Sequence, residues 1–378
     1  MDSLINTTQL LLYKENISFL ENLNLEDDKT FSEPLLFAYF NSKKYNPFPK
    51  EVLEELMQGY FTEKKSLQIE YSYNKNNVAY IPNIGYFKKG QSEPFEPVLE
   101  IEGLEVVKEL HPLLHRYLFE FYKGHITNPN PDYESVWQSH IATLEKALQL
   151  LKEHTPDYFK EFQSANRKIF IHNNPKILNF TSIETLGMLY FYTTPHSSTL
   201  MYFIEELIHQ GAHNILYHIT FEKNDFFKID APNTTMRDLT KQEWDYRDVY
   251  GAFHGVYTVY KRLECYDILL QKNVLQEKDK HELLGRFADQ FPRFHTGLEL
   301  LNLDEVYTAK GKALYLELDK KCESILNKYS KLRNEFDLSN RDLDFRYEDF
   351  CKLNSYEDFL EKDKHGFYNF LDIKQCTN

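Results

Sequence analysis

Cysteine is scarce in this chain. Cys265, Cys322, Cys351 and Cys376 are its four cysteines in 378 residues, and no two form a Cys-x-x-Cys pair. Their spacing supports neither a disulfide scaffold nor a thiolate zinc site, so reduced thiols are the default. Positive charge is also short: 44 basic against 58 acidic side chains leave −14. Nucleic acid and anionic membrane both attract basic surfaces, so neither is expected as the main partner. No apolar run is long enough to span a bilayer. The first twenty residues carry apolar side chains at helical spacing but include Asp2, Lys14 and Glu15, and no small-residue cleavage site follows. The expectation is a cytoplasmic protein. There is no internal repeat and no low-complexity tract.

What is present is ordinary globular usage, 42% hydrophobic and 27% charged, with a high aromatic share of 15%; disorder is excluded and a sizeable core is affordable. Apolar periodicity predicts helices over Ser3 to Asn24, Pro49 to Tyr60, Leu104 to Tyr122 and Tyr133 to His154. Tyr45-Asn46-Pro47-Phe48 reads as a turn, residues 80–97 as loop with short extended pieces, and residues 127–132 as a sharp break. Lys168 to His172 and Met188 to Tyr192 are β-prone runs. His196-Ser197-Ser198-Thr199 offers hydroxyl caps for a helix running to about His218. After a polar connection from Glu222 to Asp245, further helices are expected over Arg247 to Gln271, Glu277 to Leu300 and Asp304 to Leu332. Beyond Asn334 the chain is acidic and aromatic with poor helical periodicity. These readings predict a mainly α-helical α+β protein with a few short strands beside a metal-site helix. Its expected parts are a helical N-terminal region (1–160), a metal-site domain (161–335) and a C-terminal segment (336–378).

The most chemically suggestive stretch runs from Glu205 to Leu216. His209 and His213 stand four residues apart in an apolar, helix-compatible context, so on a helix they share one face, where two imidazoles can bind one ion. Zinc peptidases place a glutamate general base after the first histidine. This chain has Gln210, whose amide takes no proton at neutral pH, which argues against hydrolysis. A catalytic metal needs a third ligand. The candidate is His254, flanked by Gly251 and Gly255 one helical turn apart, small residues that allow close approach.

The order of these features, an apolar helix with His-x-x-x-His and, some forty residues on, Arg247 followed by His254-Gly255-Val256-Tyr257, resembles the His-Glu-x-x-His-type peptide β-hydroxylases. These are iron and 2-oxoglutarate enzymes associated with ribosomally made, post-translationally modified peptides. Residues 179–189 also resemble the strand-like stretch before that family's metal helix. The likeness covers about residues 167–271. It implies Fe(II) on His209, His213 and His254, and Arg247 as the clamp for the distal carboxylate of 2-oxoglutarate, with Arg237 as its competitor. It also implies a precursor peptide as substrate. Two departures stand out: Gln210 replaces the family's Glu, as a neighbour that hydrogen-bonds a ligand rather than a base, and Asp248 stands where Pro often follows the Arg. A zinc peptide hydrolase and a non-catalytic peptide-binding protein are the rival readings.

Other residues have plainer expectations. Glu205 and Glu206 read first as a solvated face, with one of them as a carboxylate ligand the lesser reading, and Arg247 as a partner of Asp245 or Asp248. His111 and His115 repeat the spacing without a third ligand and read as structural. His218 turns away from the pair. Trp244, Tyr246, Tyr250, Tyr257 and Tyr260 read as core rather than as a peptide-binding wall.

Overall fold

The computed structural model describes residues 2–44, 47–63, 70–118, 133–194, 198–341 and 345–370. The expected turn at Tyr45-Asn46, the break at 127–132, the cap positions His196 and Ser197, and Cys376 lie outside them. The structure is 57% helical with 10% strand in two small sheets, the expected mainly helical α+β class. No helix among the described residues is long and apolar enough to cross a membrane.

Packing divides the chain into two units, one of Met1–Glu145, Glu161–Thr194 and Tyr217–Phe221, the other of Lys146–Lys160, Pro195–Leu216 and Glu222–Asn378. The division differs from the expected boundaries at 160 and 335. The two β-prone runs after residue 160 fall in the first unit because they complete its sheet, and residues 345–370 pack within the second.

The first unit opens with α1 (Asp2–Glu15), α2 (Ile17–Leu20), α3 (Asp28–Phe31), α4 (Pro34–Ser42) and α5 (Lys50–Met57). It continues through β1 (Val78–Ile81), β2 (Gly85–Lys88), β3 (Glu96–Pro97), β4 (Leu99–Ile101), β5 (Leu104–Val107) and α6 (Pro112–Arg116). The long α7 (Tyr133–His154) and α8 (Pro156–Ala165) follow, of which residues 146–160 count with the second unit, then β6 (Lys168–His172) and β7 (Met188–Tyr192). Strands β1, β2 and β3 form an antiparallel sheet; in the other, ordered β4-β5-β6-β7, only the β4–β5 pair is antiparallel.

The short extended pieces expected within residues 80–97 of the helical N-terminal region are paired strands, and the helix expected over 104–122 is corrected to β5 and α6. Val106 and Val107 are β-branched and suit a pleated strand. Pro112 forces His111 into an extended conformation, so a helix begins there instead of passing through. Glu102 and Gly103 both take positive φ, 50° and 79°, which makes the two-residue hairpin turn joining β4 to β5. A charged cluster is buried in this unit: Lys168 pairs with both Glu33 and Glu105, and Tyr60 and Tyr80 donate to those carboxylates.

The second unit carries most of α9 (Leu200–Ile219), then α10 (Met236–Thr240), α11 (Val249–Gln271), α12 (Glu277–Ala288), α13 (Gln290–Leu300) and α14 (Ala309–Lys328). Two short helices, α15 (Tyr347–Leu353) and α16 (Tyr356–Lys364), occupy the tail that was expected to lack helix. Their aromatic residues surround one side chain of α12. The buried His281 ring packs among Phe336, Tyr347, Phe350, Tyr356 and Phe359. Helix α11 packs against α12, α13 and α14 and is apolar on nearly every side.

Candidate metal centre on helices α9 and α11

Helix α9 starts where Thr199 caps it, its hydroxyl accepting from the Tyr202 amide at 3.0 Å. From Leu200 to Leu216 every residue is buried except His209 and His213, which are partly accessible. The i, i+4 spacing thus turns both imidazoles to the one open stripe of an otherwise enclosed helix. Helix α11 starts at Asp248, whose carboxylate accepts from the Gly251 amide at 2.7 Å. That cap accounts for an aspartate at this position.

The two helices bring the three predicted ligands side by side. His213 Nε2 lies 3.2 Å from His209 Nε2, and His213 Nδ1 lies 2.9 Å from His254 Nδ1. Two nitrogens bound to one ion at about 2.1 Å and at right angles stand about 3 Å apart, so each pair taken singly has ligand spacing, although the two pairs use different nitrogens of His213. Even so, among the described residues no three His, Cys, Asp or Glu side chains are placed to hold an ion as they stand. The arrangement accounts for this: the rings form a row, with His213 presenting a different nitrogen to each neighbour. A half-turn of the His213 ring about Cβ–Cγ exchanges Nε2 with Cε1, the atom between those two nitrogens. One donor then faces both neighbours.

The charge state fits metal binding. Burial, followed by the charge of Arg262, holds His209 well below the ordinary histidine range. Burial, then His209 and Arg262, do the same to His213. For His254 burial acts first, then His213 and Lys223. All three are neutral at pH 7, the form that ligates. In donor type and protonation the three side chains therefore fit a divalent transition metal, while their placement does not form a ligand set as it stands.

Gln210 is buried beside them, its amide Nε2 3.1 Å from Glu206 Oε2 and 3.4 Å from His209 Nδ1. The expectation that Glu205 and Glu206 form a solvated face is overturned, because both are buried. Glu205 lies between two arginines. Its Oε2 accepts from Arg286 Nη1, and its Oε1 is 3.3 Å from Arg262 Nε. Burial alone would raise its pKa, but the arginines pull it down to about 2. Glu206 has no such partner, and burial followed by the Glu205 charge pushes it up to about 7. The carboxyl missing from the motif position thus recurs one helical turn earlier, 3.8 Å from His209 Nδ1. Sequence reasoning gave Glu206 only a lesser reading as a carboxylate ligand and missed Arg262 and Arg286. The available signal was ionisable residues embedded in apolar helices, Ile204-Glu205-Glu206-Leu207 above all.

The two clamp candidates fare less well. Arg247 is bound side-on by Asp245, Nε to Oδ1 and Nη2 to Oδ2 both at 2.7 Å. The Nε/Nη2 edge of the guanidinium is therefore already taken, which leaves only the Nη1 side for a cosubstrate carboxylate. Arg237 is exposed with its guanidinium 5.0 Å over the Tyr246 ring. A Cβ added at Gly255 would have Arg247 Nη1 as its nearest neighbour, at 4.0 Å, so this glycine lies in open space and not at the expected close approach.

His111 is structural, as expected: it is buried, and its Nδ1 caps α6 by accepting from Leu113. Tyr250, Tyr257 and Tyr260 are core, but Trp244 and Tyr246 are 58% and 72% exposed, which corrects their assignment to the core. They lie on the turn between α10 and α11, where no apolar periodicity governs.

Comparison of the chain with protein-family models and with curated proteins returns no match.

Proposed function

We propose that this chain is a cytoplasmic non-haem Fe(II) and 2-oxoglutarate-dependent oxygenase that hydroxylates a side-chain β-carbon in a ribosomally made peptide. The observation that carries the reading is the meeting of three neutral imidazoles from α9 and α11, with nitrogens 2.9 and 3.2 Å apart. Iron bound there would supply oxygen activation coupled to oxidative decarboxylation of the 2-oxo acid.

The chain's own residues do the rest. His209, His213 and His254 hold the ion. The Gln210 amide fixes the His209 ring and the Glu206 carboxyl together, so His209 turns its Nε2 toward His213. Phe253 and Tyr250, both buried on α11, keep bulk water from His254; the Tyr250 ring meets the His254 ring edge-on at 4.5 Å. The exposed Trp244 and Tyr246, just ahead of Arg247, offer aromatic surface for a peptide chain.

The test is to incubate the protein with Fe(II) and 2-oxoglutarate, with and without candidate peptides, and to assay succinate and a mass gain of one oxygen. Succinate release that His213→Ala abolishes is the expected result. Absence of turnover together with absence of retained iron ends the reading, and metal-dependent peptide cleavage would replace it with a hydrolase.

A further inference from the structure

Three arginines lie on or near the helices that carry the histidines, and their hydrogen bonding sets them apart. Arg286 has all three of its nitrogens engaged: its Nε and Nη2 reach Glu282 Oε1 at 2.9 and 2.6 Å, and its Nη1 reaches Glu205. Arg247 has its Nε and Nη2 engaged by Asp245, and its side chain is 45% exposed to water rather than buried. Arg262 differs from both. Its side chain is more than nine-tenths buried, it has one ion pair at 3.3 Å to Glu205 Oε1, and its Nε–H has no hydrogen-bond acceptor among the described residues. A guanidinium carries five N–H donors, and a buried one with donors unused is costly unless a ligand fills the place.

Its position follows from the helix pairing. Glu205 meets Arg262 and His213 meets His254. Each pair of contacts is separated by eight residues, and the order is reversed between the helices, so α9 and α11 run antiparallel here. Eight residues are about 12 Å of helix, and His209 lies midway, about 6 Å along the axis from the Arg262 level. The arginine therefore lies one helical turn beyond the histidine row, within the span of a short dicarboxylate that reaches from one to the other.

We infer that Arg262 is the anion-binding group of this site and receives a carboxylate of a short dicarboxylic acid whose other end points toward His209 and His213. Glu205, shared with Arg286, orients the guanidinium while leaving its remaining donors for the ligand. A planar fork suits a carboxylate better than a lysine ammonium does. The assignment deepens the oxygenase reading by replacing Arg247 with Arg262 as the carboxylate clamp, and it rests on that reading for the role of the ligand's other end.

The experiment is calorimetric titration of the full chain with glutarate, which has both carboxylates but no keto group, first without metal and then with Mn(II). Arg262→Lys, which keeps the charge beside Glu205, guards against misfolding of Arg262→Gln, and circular dichroism verifies each variant. The wild type is expected to bind glutarate. Arg262→Gln should weaken binding at least tenfold, Arg262→Lys by an intermediate factor, and Arg247→Gln by less than twofold. No glutarate binding by the wild type, or equal binding by folded Arg262→Lys and Arg262→Gln and the wild type, overturns the assignment. Glutarate binding that depends on Arg262 in a protein that takes up no Mn(II) would keep the anion site and remove the metal reading, so the two failures are distinct.

Discussion

Gln210 occupies the place where a metallopeptidase has its base, and its surroundings explain why a glutamate would be poorly tolerated there. Its amide donates to Glu206 Oε2, and Glu206 is already pushed up to about 7 by burial and by Glu205. Gln210→Glu would replace a donor with a third buried carboxyl. The substitution is expected to destabilise the protein by about 1–3 kcal/mol at pH 8, and by less at pH 5, where Glu206 is protonated. Thermal unfolding at the two pH values measures this; equal stability of variant and wild type at pH 8 would contradict it. At this scale the sequence was legible where spacing alone decides. His209, His213 and His254, which the packing brings side by side, were singled out by i, i+4 periodicity and one small-residue context. Glu205 and Glu206 had only a lesser reading as ligands and Arg262 none, because a charged residue on a helix is usually solvated and only the tertiary packing of α9 against α11 and α12 encloses these.

Among the elements, the long periodic helices were readable nearly to the residue: α7 spans Tyr133–His154 and α11 stops at Gln271, as their apolar spacing predicts. Strands β6 and β7 were equally plain from their continuous apolar runs. Of the strands between residues 78 and 107, those around 80–97 were legible only as short extended pieces and β4 and β5 were not, because each is four residues or fewer and their stability comes from pairing with one another. The helices α15 and α16 were missed because their few apolar residues are spent on a single target, His281. That ring is buried and its pKa is lowered by burial to about 4. A histidine held neutral in the fold stabilises fully above its unfolded value of about 6.5. As pH falls from there toward 4 the unfolded chain takes up the proton first, and about 3 kcal/mol is lost. His281→Phe keeps the aromatic packing and removes the titration, so its melting temperature should fall less between pH 7 and pH 5 than that of the wild type. An equal fall in both proteins would show that the acid sensitivity lies elsewhere.

In the molecule as a whole, the residues of the candidate centre fall within a single packing unit, the one that holds residues 195–216 and 222–378. The likeness noted in the sequence begins at residue 167, yet β6 and β7 belong to the other unit. Sequence order is therefore a poor guide to the boundary, since strands join whichever sheet offers an unpaired neighbour and β5 offers one to β6. The three histidines escape this difficulty because two share one helix and the third lies on the next long one. The account depends on their binding a single ion, and anaerobic titration of the purified chain with Mn(II) or Fe(II) tests that most directly. One equivalent should bind, and His209→Ala, His213→Ala and His254→Ala should each weaken binding by at least about 100-fold, while His111→Ala leaves it unchanged. Failure of the wild type to bind either ion, or full binding retained in His254→Ala, would contradict the account.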